Sequence, residues 1–235
     1  MTVYNQISEN KVKTFLIMFF FILIFSSFFF LLGKYFGSPL GYFFLCFFIS
    51  FASSVGSYFY GHKLVLMTTG AKIANKKTYF NFYTVTENLC LAAGLPMPKL
   101  YVINDPSPNA FATGRDPKHA VICVTTGLLE IMDRTELEGV IAHEMSHVKN
   151  FDILLASIVA VLVGTLALIS DLVIRNMLWG RGSNNDERGN RNPIFLVLFI
   201  VALILTPIIA TIIQLAISRK REYLADASAA LLTRY

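Results

Sequence analysis

The stretch DRTELEGVIAHEMSHVKN, residues 133–150, reads as one helix and decides what the rest of the chain has to provide. Asp133 and Glu136 stand at the spacing of a reciprocal N-cap, where the free backbone N–H groups of a first turn need acceptors. The helix is expected to run to about Lys149 or Asn150. Within it, His143 and His147 are four residues apart and share a face. Their imidazoles converge on a point roughly 2 Å from each nitrogen, which suits Zn²⁺. Glu144 sits one step round the helix, within reach of a metal-bound water without itself binding the metal. The competing interpretation is a pair of surface histidines on an amphipathic helix. Glu136, Glu138 and Lys149 place the helix in water or at an interface, not across a bilayer.

A hydrolytic zinc site needs a third protein ligand and one open position for water. Glu222 and Asp226, in Ser218-Arg219-Lys220-Arg221-Glu222-Tyr223-Leu224-Ala225-Asp226, are the candidates. At i and i+4 of a predicted helix, both carboxylates fall on one face. One would ligate zinc, and the other could accept the outward N–H of a ligating histidine. Taken alone, they are an ordinary pair of helix-face carboxylates. Arg221 and Tyr223 are turned away from the face of Glu222, so no second oxyanion stabiliser is identified.

The chain around these motifs is a membrane protein. Of 235 residues, 55% are apolar and only 15% charged, against roughly 25% charged in an ordinary globular domain. Mean hydropathy is +0.59. A disordered chain, a coiled coil and a nucleic-acid-coating protein are excluded. The net charge of +5 is spread along the chain beside apolar runs, as membrane orientation requires, and implies no nucleic-acid partner. Three cysteines without C-x-x-C spacing make a disulfide framework improbable and point to a reducing compartment.

Phe15–Leu32 and Pro39–Gly61 are long apolar runs joined by the short turn Gly33–Ser38, which makes a transmembrane hairpin. Lys11 and Lys13 precede it, Lys63, Lys72, Lys76 and Lys77 follow it, and the turn holds only Lys34. By the positive-inside rule both outer flanks face the cytoplasm. Two further runs, Ile153–Ile174 and Ile194–Ile217, flank a polar loop, Gly180–Asn192. The first carries Asp171, read as an interfacial ion pair with Arg175, and the second is broken by Pro207. Spanning helices are favoured for both, with re-entrant or protein-packed helices as the alternative. If His147 and Glu222 share one zinc ion, the number of crossings between them must be even.

The fold class expected is therefore an α-helical membrane protein with a small α+β, zincin-like cytoplasmic catalytic domain and up to four transmembrane helices. Its parts are an N-terminal hairpin (1–62), a catalytic region (63–152), two hydrophobic helices (153–217) and a helix completing the zinc site (218–235). In the catalytic region, Phe80–Ala93 has helical periodicity and stops at Gly94. Leu100–Ile103 and Ala120–Thr125 read as strands between the turn-rich stretches Asn104–Asn109 and Gly114–His119. Zinc endopeptidases of this type align substrate along a strand edge by backbone pairing. Ala120–Thr125 is the suitable strand, with Asn109–Thr113 as its partner. There Asn109 would fix a peptide group and Phe111 would line a subsite; alternatively, Asn109 only caps a turn.

H-E-x-x-H with a downstream E-x-x-x-D resembles the gluzincin branch that holds the CaaX-prenyl proteases and the bacterial HtpX proteases. The hairpin, Pro108-Asn109-Ala110-Phe111-Ala112-Thr113-Gly114, Val124-Thr125-Thr126-Gly127-Leu128-Leu129 and His147-Val148-Lys149-Asn150 narrow the resemblance to the HtpX type, over nearly the whole chain. The resemblance implies one zinc ion per chain, held by His143, His147 and Glu222, with Glu144 catalytic. It implies a multi-pass protease of the bacterial inner membrane with its site facing the cytoplasm. Its substrates would be misfolded or damaged membrane proteins. Members of that family usually continue well past the position of Tyr235. A non-catalytic, zinc-stapled membrane scaffold or chaperone is the alternative, although a structural site would want four ligands and no spare carboxylate.

Overall fold

The computed structural model describes residues 3–35, 37–164 and 219–234. Two long helices open the chain, α1 (Val3–Tyr35) and α2 (Pro39–Thr68). Both extend beyond the apolar runs that announce them. Among the described residues, the helices long and apolar enough to cross a membrane are Ile7–Ser27 and Pro39–Thr68, with a third if the bent pair Arg134–Lys149 and Asp152–Gly164 is one span. On α1, Ile17, Phe21 and Phe25 are buried at intervals of four, while Phe15, Phe19, Phe20 and Leu23 face outward, as a lipid-exposed helix in a bundle requires. On α2, the buried positions Ser50, Ser54, Ser57 and Gly61 form a small-residue face that lets another backbone approach. At Gly61 that backbone belongs to α6, described over Asp152–Gly164. A Cβ at Gly61 would stand 3.5 Å from the Ser157 carbonyl oxygen. Leu154, Leu155, Ile158 and Leu162 of α6 join the buried cluster with Phe21 and Phe25.

The water-facing unit is built on a four-stranded sheet of β1 (Lys72–Ile73), β2 (Lys99–Ile103), β3 (Ala110–Thr113) and β4 (Val121–Thr125). The spatial order is β1-β2-β4-β3. β2 and β4 are parallel, and β1 and β3 pair antiparallel at the two sides. This corrects one expectation: the 120–125 segment is central, with all five residues of β4 buried. It therefore has no open edge to offer a substrate. The weak β-former sequence Ala-Phe-Ala-Thr is the edge instead, and it lies beside the motif helix. The edge strand ends at Gly114, whose φ of 142° and 2.6 Å spacing from a would-be Cβ to the His119 carbonyl leave no room for a side chain.

Helices cover the sheet. α3 (Phe80–Ala93) ends at Gly94 in the left-handed conformation, as read from the sequence. A short α4 (Thr126–Ile131) leads to α5 (Arg134–Lys149), which carries the complete reciprocal cap between Asp133 and Glu136. The last described helix, α7 (Arg219–Thr233), packs on α5. Phe82, Leu89, Ile122, Ile141 and Met145 are the fully buried heart of this unit, and Ala229 closes it from α7. All three cysteines are free and buried.

α5 and α6 meet at an 83° bend. The chain turns there through Phe151, held at φ 61°, a conformation L-residues adopt only at a cost of about 1–2 kcal/mol. α6 begins the third apolar run and is described as far as Gly164. Asp171, Arg175, the 180–192 loop, Pro207 and the fourth run lie outside the described residues.

Candidate metal centre

Three elements converge to make the site. α5 supplies His143 and His147, α7 supplies Glu222, and β3 borders them. The two Nε2 atoms are 3.2 Å apart, and Glu222 Oε2 stands 3.5 Å from one and 3.7 Å from the other. The outer nitrogens are engaged elsewhere: His143 Nδ1 is 2.8 Å from Asp226 Oδ1, and His147 Nδ1 is 3.0 Å from Asp152 Oδ2. Ionised carboxylates only accept, so each Nδ1 carries the proton and each neutral Nε2 presents a lone pair. Three acceptors then face one another across less than 4 Å, an arrangement that repels itself unless a cation joins them. For ligands about 2.0–2.1 Å from a tetrahedral zinc, neighbouring ligand atoms are roughly 3.4 Å apart. The triangle of His143, His147 and Glu222 fits that face. The two carboxylates of α7 are thus told apart: Glu222 points at the triangle, and Asp226 orients His143.

Glu144 lies on the same turn, largely shielded from water. Burial raises its pKa, against the opposing pull of both imidazoles and of a hydrogen bond from the Ala112 backbone N–H. A raised carboxyl pKa moves in the direction that suits a group taking and returning a proton. His147 moves upward as well. Burial pulls it down, but the hydrogen bond to Asp152 and the charges of Glu144, Asp152 and Glu222 outweigh it.

Asp152 was not singled out by the sequence, yet it is the hub of a buried network. Its Oδ2 takes His147, and its Oδ1 accepts from Asn10 Nδ2 at 2.6 Å. Arg221 Nη1 stands 3.9 Å from Oδ1. Asn10, 5% exposed on α1, also donates to the Asn150 carbonyl at 2.9 Å. A membrane helix therefore helps to aim a histidine of the triangle.

The predicted substrate contacts are placed at the border of the site. Asn109 is exposed and bonded to Thr125 through its backbone, accepting from Thr125 N–H at 3.0 Å and donating to Thr125 Oγ1 at 2.9 Å. In antiparallel alternation, the peptide groups of Ala110 and Ala112 then point away from β4, toward the open edge. Phe111 is half-buried, opposite Cys123. Tyr223 is exposed, whereas Arg221, expected to turn away from the face of Glu222, instead reaches the carboxylate behind His147, 3.9 Å from Asp152 Oδ1.

Fold and site together define a membrane-anchored metallopeptidase of the H-E-x-x-H class. The protein-family model for peptidase family M48 matches residues 81–234. An HtpX protease homolog of Tropheryma whipplei (strain Twist) is 46% identical over 99% of this chain and 78% of its own length. Homologs from Caldanaerobacter subterraneus subsp. tengcongensis and Streptococcus thermophilus are 44% and 41% identical, over 79% and 80% of their own lengths. The chain belongs to peptidase family M48. No solved structure matches it.

Proposed function

We propose that this chain is a zinc-dependent endopeptidase of the bacterial inner membrane that cuts unfolded or damaged membrane proteins from the cytoplasmic side. The observation that carries the reading is the triangle of three acceptor atoms at 3.2–3.7 Å with Glu144 beside it. His143, His147 and Glu222 would hold one zinc ion, with Asp226 and Asp152 fixing the two rings. When bound there, zinc lowers the pKa of water to roughly 7 and polarises a carbonyl oxygen. Glu144 takes the proton from the attacking water as it adds to the scissile carbonyl. It then delivers that proton to the departing amine nitrogen.

The open edge of β3 aligns the substrate. The outward peptide group of Ala110 and the outward carbonyl of Ala112, whose N–H is taken by Glu144, pair with an extended chain, with Asn109 and Phe111 alongside. Backbone pairing is blind to side chains, so cleavage is broad and requires a locally unfolded stretch. The site stands beside the membrane helices, which suits the exposed loops of failing membrane proteins.

Metal analysis of the purified chain and casein cleavage with and without a chelator test the reading together. One zinc per chain and chelator-sensitive cleavage are expected. Stoichiometric zinc with no cleavage would favour the stapled scaffold instead.

A further inference from the structure

Where the hairpin meets the water-facing unit, the structure holds a cavity of about 630 Å³ that the catalytic residues do not use. One wall is apolar and comes from the membrane helices, with Phe15 of α1 and Tyr58 of α2. The other is cationic: Lys11 at the start of α1, and Arg115 and Lys118 from the turn after β3. One acid, Asp116, shares the lining. Its carboxylate is already engaged, 3.3 Å from Arg115 Nε and 2.8 Å from His119 Nδ1. Three cations against one acid leave two positive charges in the cavity.

The cations are set at a defined depth. α2 has 30 residues, hence is about 45 Å long, against about 30 Å of hydrocarbon. Its final turns, from about Tyr58 onward, stand in the headgroup layer. Aromatic rings hold two of the cations there: Lys11 Nζ lies 4.2 Å from the Phe151 ring centre, and the Arg115 guanidinium 5.3 Å from that of Phe59. Lys118 is exposed and has no ion pair among the described residues. The apolar wall continues into the lipid-facing side of α1, where Phe15, Phe19 and Phe20 are each more than half exposed.

We propose that this cavity binds an anionic phospholipid, its phosphate among Lys11, Arg115 and Lys118 and its acyl chains along Phe15 and Tyr58. A neutral headgroup would leave the two charges uncompensated. A soluble anion would leave the apolar wall without a partner. Occupied in this way, the lipid bridges the hairpin and the turn that follows the substrate-edge strand, and so fixes one against the other.

The test uses the full chain in detergent, titrated with short-chain phosphatidylglycerol, short-chain phosphatidylcholine or inorganic phosphate, with thermal melting as the readout. Phosphatidylglycerol is expected to raise the melting temperature saturably, and the other two are expected not to. Each cation near a membrane surface contributes about fivefold to anionic-lipid affinity. The triple variant Lys11→Gln/Arg115→Gln/Lys118→Gln should therefore bind phosphatidylglycerol about a hundredfold more weakly. Lys118→Glu alone, at an exposed position, should lose at least about fivefold and guards against a misfolded triple variant. Lys72→Gln/Lys76→Gln/Lys77→Gln removes as much charge elsewhere and should keep the response. An equal loss in that control would overturn the proposal in favour of diffuse surface attraction. An equal response to inorganic phosphate would overturn it in favour of a soluble anion, and one to phosphatidylcholine in favour of plain detergent replacement.

Discussion

Glu144 and His147 carry a pH signature that follows from their surroundings. Both bind a proton more tightly in the folded chain than their ordinary values of 4.5 and 6.5 would allow. A raised folded pKa contributes stability that is complete below the unfolded value and is lost as pH rises through the folded one. In the chelated protein, melting temperature should therefore fall as pH rises above the ordinary value of Glu144, and further as it rises above that of His147. Glu144→Gln should flatten the lower part of that decline and raise stability at neutral pH. The same variant, like Glu144→Ala, should keep zinc while hydrolysis disappears; His143→Ala and His147→Ala should lose the metal. A fully active Glu144→Ala variant would end the endopeptidase reading. Zinc needs a neutral imidazole, so its affinity should move the other way, falling as pH drops through the raised His147 value. Asp152→Asn keeps the size of the side chain but removes the charge that orients His147. Zinc affinity, measured by competition with a chromophoric chelator, should drop about 10–100-fold while the helical circular dichroism stays unchanged.

At the scale of elements, the edge strand β3 is where function and fold meet. Asn109 joins β4 through its backbone alone, and its side chain lies in solvent. Asn109→Ala should leave zinc content and melting temperature near the parent's while slowing turnover of unfolded substrate several-fold. Early melting with unchanged turnover per folded molecule would make Asn109 a structural residue and refute this placement of substrate. The motif helix was fully legible: Asp133 and Glu136 announced its cap, and the spacing of His143 and His147 announced its face. So was the stop of α3 at Gly94. The sheet was only partly legible. Val121–Val124 is a continuous apolar run, the mark of a strand buried on both faces, and that mark argued against an edge. Ala110–Thr113 has too little β-character to declare itself and is an edge because of what it pairs with. Asp152 escaped notice because it reaches His147 only through the left-handed turn at Phe151, where neither glycine nor asparagine signals it. Asn10 could not be linked to Asp152 from sequence at all, since 142 positions separate them.

The described residues form a membrane bundle and a water-facing unit that share α6 and the polar network around Asp152. Among the described residues, one large core cluster lies between the sheet, α3, α5 and α7 and another among α1, α2 and α6, with Ala120, Val148 and Ile153 forming a small third. Asn10→Leu preserves the apolar character of α1 but removes both donors to the metal-side loop. It should release zinc several-fold faster than the parent while the protein remains inserted and helical. An unchanged release rate would confine the role of Asn10 to packing.

The hydrogen bond from Asn10 to Asp152 also sets an order of events. Asn10 leaves the ribosome ahead of His143 and His147, and Glu222 follows them as the last of the site. On the proposed function, the final metal ligand arrives at a centre whose rear support depends on α1 having already docked against α6. A copy that fails to insert keeps every catalytic residue yet lacks the brace behind His147. Broad peptide cleavage is hazardous in an aqueous compartment full of nascent chains. On the proposed function, the brace would make insertion a licence for activity, and a stranded copy would be a poor scavenger of zinc and a harmless one.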